Sequence, residues 1–462
     1  MKRLIVVGAG ISGTAAAFTA TREAAARGLA LEVRVLEKDT EVGGKARSIR
    51  HDDWLVETGP LGFMSGEQAV HELAGAVGLS SELVPAEDAS SRRYVWAGGA
   101  MRSVSPHPLR FAASRILGVG GLLRMAFEPA IPKRSENVDE SVWEFARRRL
   151  GSQFADRLVH PMALGVFAGD AKALSLRSAF PLMAELERDY GSLIRAQIAR
   201  AGMRRRRELP QLPRLCSFEN GIQSLPIALA RHGRFPLETG AAVETMAPKP
   251  KRGFQLWLRG RRESIVADAV ILACDGAAMG TLASSFDSEL GAAIEGISSP
   301  PVSVVALGFG RDLVRPVPPG FGVLIPRGRG YRALGVTWDS DLFRKRSGAG
   351  RVLVRVLFGG AFDPGINELD PDELTSIARR EVARLFASEA EPVFTRVQCW
   401  PHAIPQYEVG HRDRVRRIER RLEQFPTLHL AGNALYGTSF GKAAARGVQC
   451  GKAAIRDLAV AS

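Results

Sequence analysis

The sequence has little cysteine. Its four cysteines, Cys216, Cys274, Cys399 and Cys450, are widely separated among 462 residues and form no C-x-x-C pair. Disulfide frameworks and structural zinc sites need closely spaced cysteines, so neither is expected here. A scattered set of this kind is typical of a protein from a reducing compartment.

Long apolar runs are also missing. No stretch reaches the roughly eighteen uncharged apolar residues that a membrane-spanning helix needs. The apolar run Leu4–Val7 near the N-terminus is too short for a signal peptide and leads directly into glycines. It therefore predicts a buried first strand. A segment that lies on a membrane surface without crossing it remains open.

The chain shows no recognisable catalytic triad and no cluster of metal ligands. Its eight histidines have no ligand spacing, so we predict no metal site, and His411 is expected to be structural. The net charge of +14 suits an anionic membrane or a substrate with several carboxylates, although an arginine-rich composition alone also explains it. Without a helix-turn-helix, zinc-finger or RNP signature, no nucleic acid partner is expected.

What the sequence does contain is a strand–turn–helix–strand unit at its start. Leu4–Val7 predicts a strand, Thr14–Arg27 a helix, and Leu31–Leu36 a second strand that ends at Glu37. The turn between the first strand and the helix is a G-x-G-x-x-G motif that contains Gly8, Gly10, Ile11, Ser12 and Gly13. Such glycines let the backbone approach a diphosphate, and Glu37 would bind ribose hydroxyls. This unit predicts a dinucleotide site.

A second glycine motif favours FAD over NAD as that dinucleotide. Gly43 and Gly44 follow Glu37 at a short distance and, with Arg47, form a G-G-x-x-R pattern. The pattern resembles that of FAD oxidases of the amine-oxidase type. Its glycines can approach the diphosphate and its arginine adds positive charge.

The C-terminal region repeats the strand-to-glycine pattern. A short strand leads into Gly432 and Asn433, Gly437 follows, and a helix is predicted over Lys442–Leu458. The start of that helix would face the flavin pyrimidine or the diphosphate. Three separated segments are therefore expected to hold one FAD.

Further motifs lie outside the glycine turns and are more specific than those turns. They are Val56–Pro60, Arg92–Trp96, Gly165–Asp170 with Leu174–Ser175 and Ala179–Pro181, Gly191–Ile194, and Ile404–His411. With these motifs, the chain resembles the oxygen-dependent protoporphyrinogen and coproporphyrinogen oxidase family over nearly its whole length.

The resemblance implies oxidation of protoporphyrinogen IX to protoporphyrin IX in haem biosynthesis. Hydride would pass to flavin N5 and dioxygen would leave as hydrogen peroxide, so the cofactor supplies the chemistry. The alternatives are coproporphyrinogen III, whose extra carboxylates would require more cations in the pocket, and an amine or natural-product substrate. A flavin-containing binding protein without turnover is a further alternative, from another functional class.

The resemblance also implies which residues form the site. Arg93 is expected to meet a substrate propionate, because the guanidinium fork matches a carboxylate, and Gly169 to bring backbone close to the macrocycle. Leu324, Leu334, Leu357 and Phe358 are the other implied substrate contacts. The implied FAD contacts are Gly8, Gly10, Ile11, Ser12, Gly13, Glu37, Lys38, Gly43, Gly44, Lys45, Arg47, Gly59, Pro60, Val243, Trp400, Gly432, Asn433, Gly437, Thr438 and Ser439.

Two positions depart from the family pattern. The chain reads Gly437–Thr438–Ser439 where the family usually has Gly-Val-Gly or Gly-Val-Ala, so the contact near the flavin pyrimidine is expected to differ. Leu61 follows Gly59–Pro60 where relatives often carry Asn, Asp or Arg near the substrate. A leucine cannot contact a carboxylate, so the polar groups of the substrate would be bound differently.

The predicted fold is α/β, with a Rossmann-type FAD-binding domain assembled from separated segments. An inserted mixed-sheet substrate domain and a helical membrane-facing domain complete it. The expected bounds are 1–92, 209–295 and 411–462 for the FAD-binding parts, 93–208 for the helical domain and 296–410 for the substrate domain.

A membrane-contacting segment is predicted within the helical domain. Leu109–Phe127 mixes large apolar residues with arginines, a pattern that suits the interface of an anionic membrane. The alternative is an amphipathic helix packed on its own domain. We accordingly expect a cytoplasmic protein attached peripherally to the inner face of the cytoplasmic membrane, with a homodimer left open.

Overall fold

A computed structural model describes residues 1–134, 138–250, 252–310 and 318–460 of the chain. Its strands, numbered in chain order, are β1 Lys2–Val7, β2 Leu31–Leu36, β3 Ser48–His51, β4 Trp54–Glu57, β5 Phe63–Met64, β6 Leu83–Pro85, β7 Arg93–Ala97, β8 Ala100–Val104, β9 Leu215–Phe218, β10 Leu237–Glu238, β11 Val243–Pro248, β12 Phe254–Leu258, β13 Ser264–Ala267, β14 Ala269–Leu272, β15 Val302–Gly310, β16 Gly322–Leu324, β17 Gly335–Trp338, β18 Arg351–Gly359, β19 Phe394–Trp400 and β20 Leu428–Leu430.

The helices are numbered in the same way. They are α1 Ile11–Ala26, α2 Gln68–Ala76, α3 Pro108–Ala113, α4 Val119–Ala126, α5 Val142–Leu150, α6 Ser152–Phe154, α7 His160–Phe167, α8 Leu176–Ala179, α9 Pro181–Tyr190, α10 Leu193–Arg205, α11 Ser224–His232, α12 Gly276–Ser284, α13 Ser288–Glu295, α14 Asp339–Leu342, α15 Pro371–Phe386, α16 His411–Leu422 and α17 Phe440–Val460. Short 3-10 helices occur at Ser80–Glu82, Asp88–Ser91, Glu128–Ala130, Arg344–Arg346, Gly360–Phe362 and Pro364–Glu368, and a π-helical turn at Ala155–Val159.

A five-stranded sheet combines strands from both ends and the middle of the chain. Its order is β10-β2-β1-β14-β20, and all its pairs are parallel. Helices α1 and α17 cover one face, and the β11–β13 sheet with α12 and α13 covers the other. A parallel sheet covered on both faces is buried, which explains why Leu4–Val7 is wholly apolar. The predicted assembly of this α/β domain from separated segments is confirmed.

The second large sheet is mixed and has seven strands in the order β19-β15-β18-β17-β16-β7-β8. Only the β16–β7 pair is parallel. Side chains alternate across a strand, so the sheet has two distinct faces. One face packs under α15 around Trp338 and Val305. On the other face, Val302, Val304 and Leu357 pack against α7 and the turn that follows it.

The segment 93–104 differs from the prediction that 93–208 is helical. Arg93–Ala97 and Ala100–Val104 form a hairpin at the edge of the mixed sheet, and the helices begin at Pro108. The strand signal is the run of Tyr94, Val95 and Trp96, residue types that favour strands. Gly98 and Gly99, both with positive φ, supply the two-residue turn.

The predicted membrane segment Leu109–Phe127 is divided between α3 and α4. Phe111, Ile116 and Leu117 are buried against the mixed sheet, as in an ordinary amphipathic helix. Four other apolar side chains are exposed by 58–77%, namely Leu109, Val119, Leu123 and Phe127. Within the described ranges, no helix has both the length and the apolar character that crossing a membrane requires.

A buried ionic network joins the β3–β4 hairpin to the mixed sheet. The Glu57 carboxylate at the end of β4 lies 2.9 Å from the Arg346 guanidinium, and neither side chain is exposed. Arg355 on β18 pairs with Asp339 at 2.6 Å and donates to the backbone oxygens of Glu57 and Gly59. Burial raises the pKa of the Glu57 carboxyl, while Arg346 and nearby hydrogen bonds oppose that shift. The network holds β4 against the mixed sheet.

We expect Glu57→Ala to lower the free energy of unfolding by about 3–5 kcal/mol, because it leaves Arg346 buried without its partner. The matched control is Glu87→Ala, which removes an exposed pair with Arg344 and should change stability by less than about 1 kcal/mol. Denaturant unfolding of both variants measures the difference. Equal stability of the two variants would contradict the structural role of the network.

Candidate functional site

The first glycine turn is tight enough to exclude side chains. Gly8 has a φ of +103°, and a Cβ at Gly13 would lie 1.8 Å from the Gly8 carbonyl oxygen. Helix α1 begins at Ile11 with Gly10 as its N-cap, and no side chain caps its first amides. Those amides and the positive end of the helix are therefore available to an anion.

The structure brings the other two predicted glycine segments to this turn. The Gly43 N–H donates to the Ala9 oxygen at 2.9 Å. A Cβ at Gly44 would lie 3.3 Å from the Gly10 Cα. From the C-terminal segment, the Gly432 N–H donates to the Ser12 hydroxyl at 2.7 Å. Three distant parts of the chain thus form one backbone-lined cradle.

The Glu37 carboxylate is fixed at the end of β2, beside the cradle. It accepts the Ala9 N–H at 2.6 Å and the Asp39 N–H at 2.9 Å, and it is 5% exposed. Lys38 next to it is exposed. The Ala241 N–H donates to the Glu37 backbone oxygen at 2.8 Å, which brings the start of β11 at Val243 to the same end of the sheet.

Two predicted basic residues follow the glycine pair and have different environments. Lys45 donates to the Ala403 oxygen at 2.8 Å, and burial lowers its pKa to about 8. Arg47 lies 3.8 Å from Asp39 and 3.5 Å from Glu41. The contact with Glu41 is made by the buried Nε and does not form a hydrogen bond, so this N–H is available to a bound group.

Gly59 and Pro60 lie between the cradle and the mixed sheet. A Cβ at Gly59 would lie 1.9 Å from the Lys45 oxygen, and Pro60 is half-buried. At the end of β19, the Trp400 indole donates to the Thr58 oxygen at 2.7 Å. Trp400 therefore supports this segment from the substrate-domain side.

The C-terminal loop has a structural as well as a potential binding role. Gly437 has a φ of +125°, and Asn433, Gly437 and Thr438 are half-buried. Ser439 accepts the Lys442 N–H at 3.1 Å and donates to Glu67 at 2.7 Å. The Ser439 hydroxyl thus caps the first turn of α17, so a contact with FAD would have to come from its backbone.

These features fit an FAD. Glycines line the cradle, and a Cβ at Gly8, Gly13 or Gly43 would collide with neighbouring backbone oxygens. The N-terminus of α1 is uncapped, and a buried carboxylate stands at the end of β2. In open α/β sheets, ligands bind at the carboxyl ends of the strands, and all of these groups lie there.

An apolar face of the mixed sheet lies between this cradle and the Ala168–Gly169 turn. Val302, Val304, Leu334 and Leu357 pack there with Leu164 and Ala168 from α7 and the turn that follows it, and with Ala403, the residue that Lys45 contacts. Leu324 extends the face, since a Cβ at Gly165 would lie 2.2 Å from its side chain. The structure thus brings together three predicted leucines. We call this set of side chains the apolar face.

Arg93 stands at one end of the apolar face. Arg93 pairs with Gly322 in the sheet, and Val95 pairs with Leu324 two residues further along both strands. Side chains two residues apart point to the same face, so the Arg93 side chain lies on the same face as Leu324. Its guanidinium lies 5.4 Å from the centre of the Phe321 ring. No carboxylate of the described residues is within ion-pair distance of Arg93, which leaves it available to an anionic ligand.

The prediction that Phe358 contacts the substrate is wrong. Phe358 follows Leu357 on β18, and consecutive side chains of a strand point to opposite faces. Phe358 is fully buried on the far side of the sheet, in the core beneath α15 that contains Trp338. Only Leu357 of the two reaches the apolar face.

Gly169 lies close to a residue that the sequence did not single out as a site residue. A Cβ at Gly169 would lie 2.0 Å from Oε1 of Gln406. Gln406 and its neighbour Tyr407 belong to the Ile-Pro-Gln-Tyr motif, so the motif was visible but the role of each residue was not. Their contacts depend on long-range packing.

Comparison with known proteins agrees with this geometry. The model of the family described as flavin containing amine oxidoreductase matches residues 12–454. The chain is 27% identical to a coproporphyrinogen III oxidase of Bacillus subtilis, over 99% of this chain and 97% of the relative. It is 26% identical to a chloroplastic protoporphyrinogen oxidase of Nicotiana tabacum, over 95% of this chain and 82% of the relative.

The fold is also found among solved structures. A protein of Exiguobacterium sp. 255-15, provisionally named protoporphyrinogen oxidase, superimposes with a TM-score of 0.85 at 22% identity, over 99% of each chain. Cyclohexylamine oxidase from Brevibacterium oxydans IH-35A superimposes with a TM-score of 0.68 at 14% identity, again over 99% of each chain. At these identities the superpositions establish the fold alone.

We expect Gly13→Ala to abolish FAD binding, because the new Cβ would collide with the Gly8 carbonyl oxygen and open the turn. The matched control is Gly120→Ala on α4, where nothing lies within 4 Å of the new Cβ. Flavin absorbance per mole of purified protein, and FAD titration of the apoprotein, measure the effect. Full flavin content in Gly13→Ala would rule out this turn as the diphosphate site.

Proposed function

Because the chain belongs to the flavin-containing amine oxidoreductase family and is an FAD-dependent oxidase, we propose that it oxidises protoporphyrinogen IX to protoporphyrin IX in haem biosynthesis. The names of its relatives support a porphyrinogen substrate. The residues that would contact the substrate support a porphyrinogen independently of those names.

The observation that carries the proposal is the composition of the apolar face. Val302, Val304 and Leu334 are buried in it, and the half-buried Leu324 and Leu357 present aliphatic carbons and no titratable group. A porphyrinogen is a broad apolar macrocycle with carboxylates only at its periphery. Apolar surface binds such a ring by excluding water from both, while a cation at the edge binds a carboxylate.

The chemistry requires little from the side chains themselves. Bound FAD would accept a hydride at N5 from a meso carbon and pass the electrons to dioxygen, which leaves as hydrogen peroxide. The apolar face would orient the macrocycle against the cradle and keep water out. Arg93 would hold a propionate by paired hydrogen bonds at the end of the face.

Leu61 favours protoporphyrinogen IX over coproporphyrinogen III. It packs against the cluster of Ala86, Leu342 and Phe343, which also includes the Phe321 ring beneath Arg93. Coproporphyrinogen III carries two more propionates than protoporphyrinogen IX, and leaving a carboxylate against this apolar surface would cost free energy. Coproporphyrinogen III remains the second candidate, because a relative that matches 99% of this chain is named for it.

The purified protein is expected to convert protoporphyrinogen IX to a fluorescent porphyrin with release of peroxide, and to convert coproporphyrinogen III less efficiently. Arg93→Ala should raise KM about ten-fold, which corresponds to the roughly 1.4 kcal/mol of a lost charge-assisted hydrogen bond. The neighbouring Arg92→Ala is the matched control. Faster oxidation of coproporphyrinogen III would reverse the choice of substrate, and no porphyrin from either would refute the proposed function.

A peripheral attachment to an anionic membrane is the second part of the proposal. Leu109, Val119, Leu123 and Phe127 are exposed apolar residues on α3 and α4 and their flanks, with Arg110 and Arg115 exposed nearby. Apolar side chains that dip below lipid phosphates while arginines contact them are typical of such attachment. The attached protein would then lie on the cytoplasmic side.

We expect the double variant Leu123→Ser, Phe127→Ser to bind vesicles that contain anionic lipid at least ten-fold more weakly than wild type. Val393→Ser is the control, because Val393 is 66% exposed but lies on the loop before β19, in the substrate domain. Flotation with the vesicles measures binding. Unchanged flotation of the double variant would exclude α4 as the attachment site.

A further inference from the structure

One short segment, Ala403–His411, contacts both halves of the site, and we call it the bridge segment. It contains the Ile-Pro-Gln-Tyr motif, which the proposed chemistry does not use. Lys45, from the second glycine motif, donates to Ala403 at its start. The neighbouring residues Gln406 and Tyr407 then make their side-chain contacts on opposite sides of the site.

Gln406 contacts the substrate side. Its side-chain amide donates to the oxygens of Phe167 and Ile404, both at 2.8 Å, and it is 5% exposed. Its Oε1 occupies the space that a side chain at position 169 would need. Phe167 is the last residue of α7, so Gln406 fixes the point at which the helix ends and the Ala168–Gly169 turn begins.

That turn needs such support because its backbone is unusual. Ala168 has a φ of +51°, a left-handed conformation that disfavours residues with a Cβ. The Ala168 oxygen accepts the Ala361 N–H at 2.8 Å, which ties the turn to the end of β18. Gln406 therefore stabilises a strained turn next to the apolar face.

Tyr407 contacts the flavin side. Its hydroxyl donates to the Asn433 oxygen at 2.5 Å and accepts the Gly437 N–H at 2.7 Å. Burial raises the pKa of this hydroxyl, so it keeps the proton that it donates. One hydroxyl thus closes the loop Asn433–Gly437, which belongs to the third glycine segment of the cradle.

His411 supports this arrangement from the end of the bridge segment. Its ring stacks on Tyr407 with centroids 4.0 Å apart, and its Nε2 lies 3.0 Å from the Leu435 oxygen in the middle of the same loop. The loop is therefore held at Asn433, Leu435 and Gly437. These contacts explain the expected structural role of His411, which supports Tyr407 and the loop Asn433–Gly437.

We propose that Gln406 and Tyr407 are positioning residues with separate targets: Gln406 sets the turn that faces the substrate, and Tyr407 sets the loop that faces the flavin. The first half rests on the proposed porphyrinogen substrate, and the second rests only on FAD binding. A change at Tyr407 should then alter FAD affinity, and a change at Gln406 should alter KM for the substrate. Residues with a merely structural role would alter both quantities together.

Tyr407→Phe removes the hydroxyl and keeps the ring. The Asn433 oxygen and the Gly437 N–H each lose a hydrogen-bond partner, so the Kd for FAD should rise about ten-fold or more. The flavin absorption spectrum and reduction potential should shift, and KM for porphyrinogen should stay within about two-fold of wild type. The control is Tyr436→Phe, in the same loop, whose hydroxyl donates to Glu419 on α16 and to neither Asn433 nor Gly437.

Gln406→Glu keeps the size of the side chain and replaces the donor with an oxygen that faces two carbonyls. KM for porphyrinogen should rise about ten-fold above neutral pH, with the FAD Kd unchanged. Burial raises the pKa of such a carboxyl, so lowering the pH should restore a donor and recover KM. Gln424→Glu, at an exposed position, is the control and should show no such recovery.

Hydrogen exchange of segment 164–175 provides a readout that needs no substrate. Exchange there should accelerate in Gln406→Glu and stay unchanged in Tyr407→Phe. The proposal is overturned if the two variants change KM, FAD affinity and exchange in parallel, or if neither variant changes them. If the wild type oxidises no porphyrinogen, the proposed function fails alone, because FAD affinity and exchange still decide the two positioning roles.

Discussion

The buried ion pair between Glu57 and Arg346, with Arg355 and Asp339 beside it, is the interaction on which the rest of the structure depends. Its side chains are at most 3% exposed, and each charge is compensated by another element: β4, β18, α14 and the 3-10 helix Arg344–Arg346. Buried charges tolerate little displacement, because separating them leaves an uncompensated charge. The network therefore fixes the distance between the dinucleotide cradle and the mixed sheet.

The site follows from that fixed distance. An oxidase of a large apolar substrate must hold the substrate against the flavin while water is excluded. Here the cradle is lined by the backbone of three glycine segments, and the apolar face carries aliphatic side chains. Arg355 contacts the backbone of Gly59, while Leu357, two residues further along β18, lies on the apolar face. Strand β18 therefore contacts the Gly59 segment beside the cradle and also forms part of the apolar face.

Local signals were sufficient for much of the fold. The glycine turn at Gly8, the strand Leu31–Leu36 and the three-segment cradle were all readable, because each depends on short patterns of glycine and β-branched residues. The hairpin Arg93–Val104 was missed although Tyr94–Trp96 carries a strand signal, since the basic and helical surroundings outweighed it. Phe358 was misassigned because a motif gives position along a strand but not the face. The contacts of Glu57, Gln406 and Tyr407 join residues far apart in sequence, and no local pattern reports them.

The central claim is that the substrate lies directly against the flavin bound in the three-segment cradle. The most direct test is to mix the purified protein with protoporphyrinogen IX in the absence of oxygen and follow the flavin absorbance. The account predicts that the absorbance bleaches as each flavin takes one electron pair from the substrate, and that oxygen then restores the flavin. Because full oxidation to porphyrin removes three electron pairs, anaerobic porphyrin should not exceed one molecule for every three flavins that are reduced. A flavin that stays oxidised with protoporphyrinogen IX and with coproporphyrinogen III, in protein that retains its FAD, would contradict the account.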